Sequence, residues 1–186
     1  MRAVFIGPPG SGKGTQGKLL HSRLGAAIIG TGEILRDEMS RKTPLGSQAK
    51  SYIDSGRLAP DDLVNAVVAE RLRRADRPAA FILDGYPRNS NQAAALDRVL
   101  KEQKLKLTAV IHFLIDEDVV VRRMLARQRS DDDEEVIRNR MKEFRESVRD
   151  LVNYYRKQGI LHEVQADADE ERLYVTIASL LLSSKR

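Results

Sequence analysis

The chain reads as an α/β domain, a parallel sheet of five strands with helices on both faces. Two observations predict it. Short apolar runs recur at Ala3-Val4-Phe5-Ile6, Ala26-Ala27-Ile28-Ile29, Phe81-Ile82-Leu83, Ala109-Val110-Ile111-His112-Phe113-Leu114 and Leu161 to Ala166. Segments of helical period separate each run from the next. Directly behind the first run stands Gly7-Pro8-Pro9-Gly10-Ser11-Gly12-Lys13-Gly14-Thr15, and from Lys13 to Leu24 the pattern turns helical, with Leu19, Leu20 and Leu24 on one face. Strand, glycine-rich turn, lysine, then helix is a phosphate-binding loop. Its glycines let successive backbone N–H groups curl around phosphate oxygens, the helix N-terminus adds partial positive charge, and the lysine reaches the outer phosphates. The strict pattern wants a hydroxyl right after the lysine; here Gly14 intervenes and Thr15 supplies it one place later.

At 186 residues, 41% hydrophobic and 32% charged, the composition is that of one soluble globular domain with room for a real core. No apolar run approaches the length that spans a bilayer, so no membrane partner is expected. The first strand begins almost at Met1, which leaves no space for a signal or transit peptide and makes the cytoplasm the expected location. The absence of cysteine excludes disulfides and thiolate zinc sites, and His21, His112 and His162 are too scattered for a metal cage. The net charge of +5 is spread through helices beside acidic residues, with no basic tail and no aromatic platform. Nucleic acid is therefore not the expected partner, and an anionic small molecule accounts better for a few placed arginines.

After the second strand, Gly30-Thr31-Gly32 leads into a helix expected around Glu33 to Ser40, carrying Arg36. Thr43-Pro44-Leu45-Gly46 breaks it, and a further helical piece runs to Ser55-Gly56. The polar, strandless segment 30–59 reads as a small helical lobe inserted in the main fold. Arg57-Leu58-Ala59-Pro60 closes it, and Asp61 is placed to cap the next helix, which reads through Leu63, Val64, Val67, Val68 and Leu72.

The third strand ends in Asp84-Gly85-Tyr86-Pro87-Arg88. An Asp at the carboxyl end of a buried strand, beside a phosphate loop, suits coordination of a metal-bound water. Pro87 makes a tight turn, a place for a cis bond, that aims Arg88 into the crevice. Gln92 opens a helix with Ala95, Leu96, Val99 and Leu100 on its apolar face. His112, alternating with apolar neighbours in the fourth strand, is read as packed and given no role.

Asp116 or Asp118 caps a helix carrying Arg122, Arg123 and Arg127. The polar stretch 128–135 holds Arg129 and an acidic run, with Ser130 and Asp133 in a capping arrangement. A long helix follows through Val136, Ile137, Met141, Phe144, Val148, Leu151, Val152 and Tyr155, with Arg140 near its start and Gly159 as its stop. A last helix from Asp169 to about Ser183 buries Leu173, Ile177, Leu180 and Leu181.

Three stretches together carry a family resemblance: Gly7 to Gln16, Thr31-Gly32-Glu33-Ile34-Leu35-Arg36, and Leu83-Asp84-Gly85-Tyr86-Pro87-Arg88. With this order and spacing the chain resembles the nucleoside monophosphate kinases, specifically adenylate kinase in its short-lid form. The resemblance implies a P-loop three-layer α/β/α core over 1–29, 60–126 and 136–186. It makes 30–59 the AMP-binding lobe and 127–135 a short lid. It implies reversible transfer of a phosphoryl group from Mg-bound ATP to AMP, giving ADP twice, with magnesium as cofactor, no zinc and no obligate partner, so that a monomer is expected. Gly10, Ser11, Gly12, Lys13, Gly14 and Thr15 would then hold ATP, with Arg127 on its adenine and phosphates. Thr31, Gly32, Arg36, Arg57, Leu58, Ala59, Gly85, Arg88 and Gln92 would hold AMP. Arg129 and Arg140 would also reach AMP and converge on the transferred group, and Asp84 would hold a magnesium-bound water.

Two features favour AMP over UMP or CMP: Thr31 stands where the pyrimidine relatives typically carry alanine, and Gln92 offers an amide to a purine edge. Asn89 leans the other way, because it matches those relatives. The lid is shorter than in other short-lid forms, with only Gln128 between Arg127 and Arg129, so ATP hydrolysis in the absence of AMP is expected. A GTPase-like switch would want an Asn-Lys-x-Asp signature, which is absent, and would leave Arg36, Arg88 and Gln92 unused. A nucleic-acid-stimulated ATPase is a further alternative that the charge distribution does not favour.

Overall fold

The computed structural model describes residues 1–54, 59–126 and 134–184, leaving out the side chains at 51, 53, 54, 134–136, 139 and 140. Its strands are β1 (Arg2–Ile6), β2 (Ala27–Gly30), β3 (Phe81–Asp84), β4 (Ala109–Leu114) and β5 (Leu161–Gln165). The helices are α1 (Lys13–Leu24), α2 (Thr31–Ser40), α3 (Pro44–Asp54), α4 (Asp61–Arg73), α5 (Ser90–Glu102), α6 (Glu117–Ala126), α7 (Glu134–Lys157) and α8 (Glu170–Ser183).

The strands pair in the order β2-β3-β1-β4-β5, and every pairing is parallel. β1 is central, with Phe5 opposite Asp84 on one side and Ile111 on the other. Parallel pairing sends all carboxyl ends to one edge, so the chain leaves Ile6, Gly30, Asp84 and Leu114 toward the same side of the sheet.

The period of two along each strand divides the core into two layers. Val4, Ile6, Ile29, Phe81, Leu83 and Val110 pack with Leu63, Val67 and Leu72 of α4, Leu96 and Leu100 of α5, and Leu151 and Tyr155 of α7. On the other face, Ala3, Phe5, Ile82, Ile111, Phe113 and Val164 pack with Leu20 of α1 and Leu173, Ile177 and Leu181 of α8. The two phenylalanines of that layer meet edge to face, with centroids 5.0 Å apart. A smaller cluster joins Val120, Val121 and Met124 of α6 to Ile137 and Met141 of α7.

Several boundaries differ from the sequence expectation. α2 starts at Thr31, so Thr31 and Gly32 form its first turn instead of leading into it. α3 takes in Pro44, whose fixed φ and missing N–H are harmless in a first turn. Thr43 starts that helix, its hydroxyl accepting from Gly46 N–H at 3.0 Å. Asp61 is not a cap: the N-cap position of α4 is Pro60, with no side-chain cap, and the Asp61 carboxylate is bonded elsewhere. Gln92 does not open α5 either; Asn89 caps that helix, accepting from Gln92 N–H at 2.9 Å. Of the two candidate caps before α6, Asp116 is used, accepting from Asp118 N–H at 2.8 Å. Asp169 caps α8, and Gly159 takes the left-handed conformation after α7. The expected cap pair Ser130 and Asp133 lies outside the described residues.

His112 is packed, as expected. It is 9% exposed, with Nδ1 3.3 Å from Glu163 Oε1 on β5. Burial holds its imidazole below the ordinary value, partly offset by Glu163. The folded state thus keeps this ring neutral where the unfolded chain, titrating at pH ~6.5, would protonate it. The unfolded state binds the extra proton, so stability is full above that pH and falls as pH drops toward the folded value. Denaturant unfolding between pH 7 and pH 5 is expected to show a steeper loss in the native chain than in His112→Gln; equal slopes would rule this out.

Candidate active site

The phosphate loop grows out of the central strand. Its end packs against β4 so closely that a Cβ on Gly7 would lie 3.0 Å from Phe113 Cβ. Gly12, at φ 91°, is the N-cap of α1, and this left-handed turn points the first N–H groups of the helix back at the loop. Ser11 is fully buried, its N–H donating to the Pro8 carbonyl at 3.2 Å. Gly14 and Thr15 are exposed on the first turn of α1. Lys13 folds over the loop, its Nζ donating to the carbonyls of Gly7 and Pro8, each at 2.8 Å, and to Ser11 Oγ at 3.3 Å. The ammonium is thereby held within the concavity of the loop.

The turn after β3 builds the second half of the site. The Tyr86–Pro87 bond is cis, and Gly85 stands at φ 80°. The Gly85 carbonyl accepts from Arg88 Nε at 2.9 Å and from the Thr31 hydroxyl at 3.4 Å. A Cβ at Gly85 would come within 3.0 Å of Thr31 Oγ1. The structure thus brings together Thr31, Gly85 and Arg88. Arg36 lies on the same helix as Thr31, its guanidinium over Gly32, where a Cβ would be 3.3 Å from Nη1. It is exposed and pairs with no acid among the described residues. Ala59 is half-buried against the core layer of α4 and α5.

Gln92 is 97% buried, at 3% exposure. Its Oε1 accepts from Arg88 N–H at 2.7 Å and its Nε2 donates to Asp61 Oδ1 at 2.7 Å. Asn89 Nδ2 donates to the other oxygen, Asp61 Oδ2, at 2.8 Å. Asn89 is therefore occupied on both sides, as helix cap and as partner of Asp61. Tyr86, also buried, sets its hydroxyl 2.7 Å from Asn65 Oδ1 and 3.1 Å from the Gln92 carbonyl. Burial, and then the Asp61 charge, push that phenol well above its ordinary value. Asp61, Asn65 and Tyr86 belong to this framework and were not picked out as site residues from the sequence. The contact from residue 61 to residue 92 spans too much chain for any local pattern to reveal, and an Asp before a helix reads as a cap.

Asp84 ends β3, half-exposed, with its backbone between Phe5 and Gly30. No hydrogen bond or ion pair holds its carboxylate among the described residues. No group of three or more His, Cys, Asp or Glu side chains placed to hold a metal ion occurs among them. A lone oxygen donor beside a phosphate loop suits a hard cation that keeps most of its waters and takes other ligands from phosphate, as magnesium does. Arg57, Leu58, Arg127 and Arg129 lie outside the described residues. Arg140 falls on α7, with its side chain outside them.

A parallel sheet whose central strand feeds a phosphate loop, facing an arginine-bearing turn at the same edge, defines a P-loop nucleotide-binding phosphotransferase. A sequence model of the family described as "Adenylate kinase" matches residues 5–160. Relatives named adenylate kinase include one from Nocardia farcinica, 49% identical over 155 residues, covering 83% of this chain and 86% of its own length. One from Rhizobium meliloti is 44% identical over 191 aligned residues, covering 97% of this chain and 100% of the relative. One from Archaeoglobus fulgidus is 38% identical over 212, covering 97% and 98%. The chain belongs to the adenylate kinase family.

The turn at Gly85 gives a direct check on how tightly this half is built. Gly85→Ala combines left-handed strain, of order 1–3 kcal/mol, with a close contact on the Thr31 hydroxyl. It is expected to lower the melting temperature by several degrees and turnover with it. Unchanged melting and unchanged ADP formation would contradict this picture of the turn.

Proposed function

We propose that the chain transfers a phosphoryl group directly from Mg-bound ATP to AMP, reversibly, at the carboxyl edge of its sheet. The observation that carries this is the meeting of two anion-binding structures there: the lysine-bearing loop after β1 and the Thr31–Gly85–Arg88 cluster after β3. In this reading Gly10, Ser11, Gly12, Gly14 and Thr15 wrap the ATP phosphates, donating backbone N–H groups and the Thr15 hydroxyl. Lys13 exchanges the loop carbonyls it now contacts for phosphate oxygens. Carbonyl and phosphate are both acceptors, so a lysine already lying in the concavity needs only a short movement.

Arg36 and Arg88 would take the AMP phosphate, with Thr31, Gly32, Arg57, Leu58, Ala59, Gly85 and Gln92 around its nucleoside. Both substrates are polyanions and repel each other, and the transition state spreads charge over three equatorial oxygens. Planar guanidinium groups neutralise that charge in two-point contacts, which is the work given to Arg127, Arg129 and Arg140. The attacking group is a phosphate oxygen, already anionic, so no side chain need remove a proton. Positioning and charge carry the rate. Asp84 would hold a water of the ion that accompanies ATP. That ion supplies charge neutralisation on the transferring phosphates.

The segment 30–59 as the AMP lobe and 127–135 as the lid belong to the same proposal, as do a monomeric state and a cytoplasmic location. Asn89 does not favour the pyrimidine alternative, because helix capping and Asp61 account for both ends of its amide.

The test is ADP formation from Mg·ATP and AMP in the native chain beside Lys13→Ala and Arg88→Ala. Robust activity, reduced by about a hundredfold or more in each variant, is the expected result. ATP binding without transfer to AMP, with transfer to CMP or UMP instead, would overturn the acceptor assignment.

A further inference from the structure

Among the described residues, the Asp61 carboxylate is the one charged group in the amide network behind the acceptor turn. Both its oxygens are taken by amide donors, Gln92 Nε2 at 2.7 Å and Asn89 Nδ2 at 2.8 Å. On the far side of each amide stands a backbone group that can only donate: Arg88 N–H at Gln92 Oε1 and Gln92 N–H at Asn89 Oδ1. A carboxylate accepts only and a peptide N–H donates only. Each amide is therefore trapped between an obligate acceptor and an obligate donor, and neither can turn over without setting two like groups against each other. An isolated glutamine would tolerate either orientation.

We propose that Asp61 is a positioning residue that fixes the polarity of the Gln92 amide and thereby sets which acceptor base is taken. This rests on the reading that Gln92 meets the base of the acceptor nucleotide. The fixed amide leaves one hydrogen on Nε2 and one lone pair on Oε1 without a partner among the described residues, at known ends of the group. Adenine offers N1 as acceptor and the 6-amino group as donor, which this polarity can match. Hypoxanthine has the same shape, with N1–H as donor and O6 as acceptor, the inverse pattern. An amide free to flip would serve both bases; a fixed one serves one. The same carboxylate also reaches the acceptor phosphate indirectly, since the amide it holds accepts from the backbone of Arg88.

Asp61 sits two residues after Ala59, where the chain re-enters the core from the 31–54 helices. The amide framework is thus tied to the root of that segment and not only to α5. The wide cleft of about 610 Å³ beside it, lined by Asp61, Asp62, Asn65, Asn91, Ala94 and Arg98, holds no buried polar atom in want of a partner and supports no separate site.

The test compares AMP and IMP as acceptors in the native chain, Asp61→Asn, the double variant Asp61→Asn with Asn89→Asp, and Gln92→Ala. Asp61→Asn keeps the size of the side chain but sets an NH2 against one of the two amides, so either the α5 cap or the Gln92 orientation is lost. It is expected to raise KM for AMP about tenfold and to shrink the preference for AMP over IMP, with KM for ATP unchanged. In the double variant the carboxylate stands at position 89, where it can cap α5 and accept from the new amide at position 61. The oxygen of that new amide then accepts from Gln92 Nε2. This pattern is complementary again, and the AMP preference is expected to return.

A general loss of packing would move the melting temperature and both substrates together, and exchange at residue 89 would not rescue it. An AMP-to-IMP ratio in Asp61→Asn equal to the native one, while Gln92→Ala does change it, would overturn the proposal for Asp61 alone. A ratio and KM unaltered by Gln92→Ala would overturn the reading of Gln92 on which it rests.

Discussion

The parallel pairing of β1 with β3 on one side and β4 on the other is the constraint on which the rest of the molecule depends. It puts the end of β1 between two other strand ends, so the phosphate loop has a wall on either side. Phe113 of β4 supports Gly7, and Asp84 of β3 lies opposite Phe5. The pairing is secured by apolar layers on both faces, in which Val4, Phe81, Ile82, Leu83, Val110 and Ile111 are fully buried. At about 25 cal/mol per Å² of apolar area, each such side chain contributes roughly 1.5–3 kcal/mol. At the edge, the turn after β3 adds the buried Tyr86 to that core, whereas the loop after β1 is built of glycine, proline and a lysine.

The two halves of the edge are held by different means. At the phosphate loop the organising groups are backbone: a left-handed Gly12, a helix start, and carbonyls that seat Lys13. At the turn after β3 they are side chains in a buried network running from Asp61 through Gln92 and Asn89 to the backbone of Arg88. In the function proposed above, the difference follows from the ligands. Phosphate is read well by N–H groups and point charges, whereas telling one nucleobase from another needs donors and acceptors of defined polarity, which amides supply only when something fixes them.

Much of the fold was legible because its signals are local. The five apolar runs gave the strands nearly to the residue, and the spacing of Gly7, Gly12 and Lys13 behind a strand gave the loop. The helix starts were less legible. Asp61 read as a cap and Gln92 as the residue that opens a helix, yet Pro60 and Asn89 hold the N-cap positions, and the two misread side chains bond each other. A capping pattern and a long-range hydrogen bond call on the same residue types, and only the tertiary structure decides between them. Asn89 illustrates the same limit: its likeness to pyrimidine-specific relatives was visible in sequence, but its engagement as cap and as Asp61 partner was not. The stretch 127–133, with Arg127 and Arg129 before an acidic run, lies outside the described residues.

The proposed transfer is a single direct displacement between two nucleotides held at one edge, with no protein side chain taking the phosphoryl group. The most direct test uses ATP made chiral at the γ-phosphorus by oxygen isotopes, with the configuration read in the ADP formed from AMP. One in-line transfer inverts the phosphorus, and inversion is the expected result. Retention would mean two displacements through a phosphorylated residue and would contradict it.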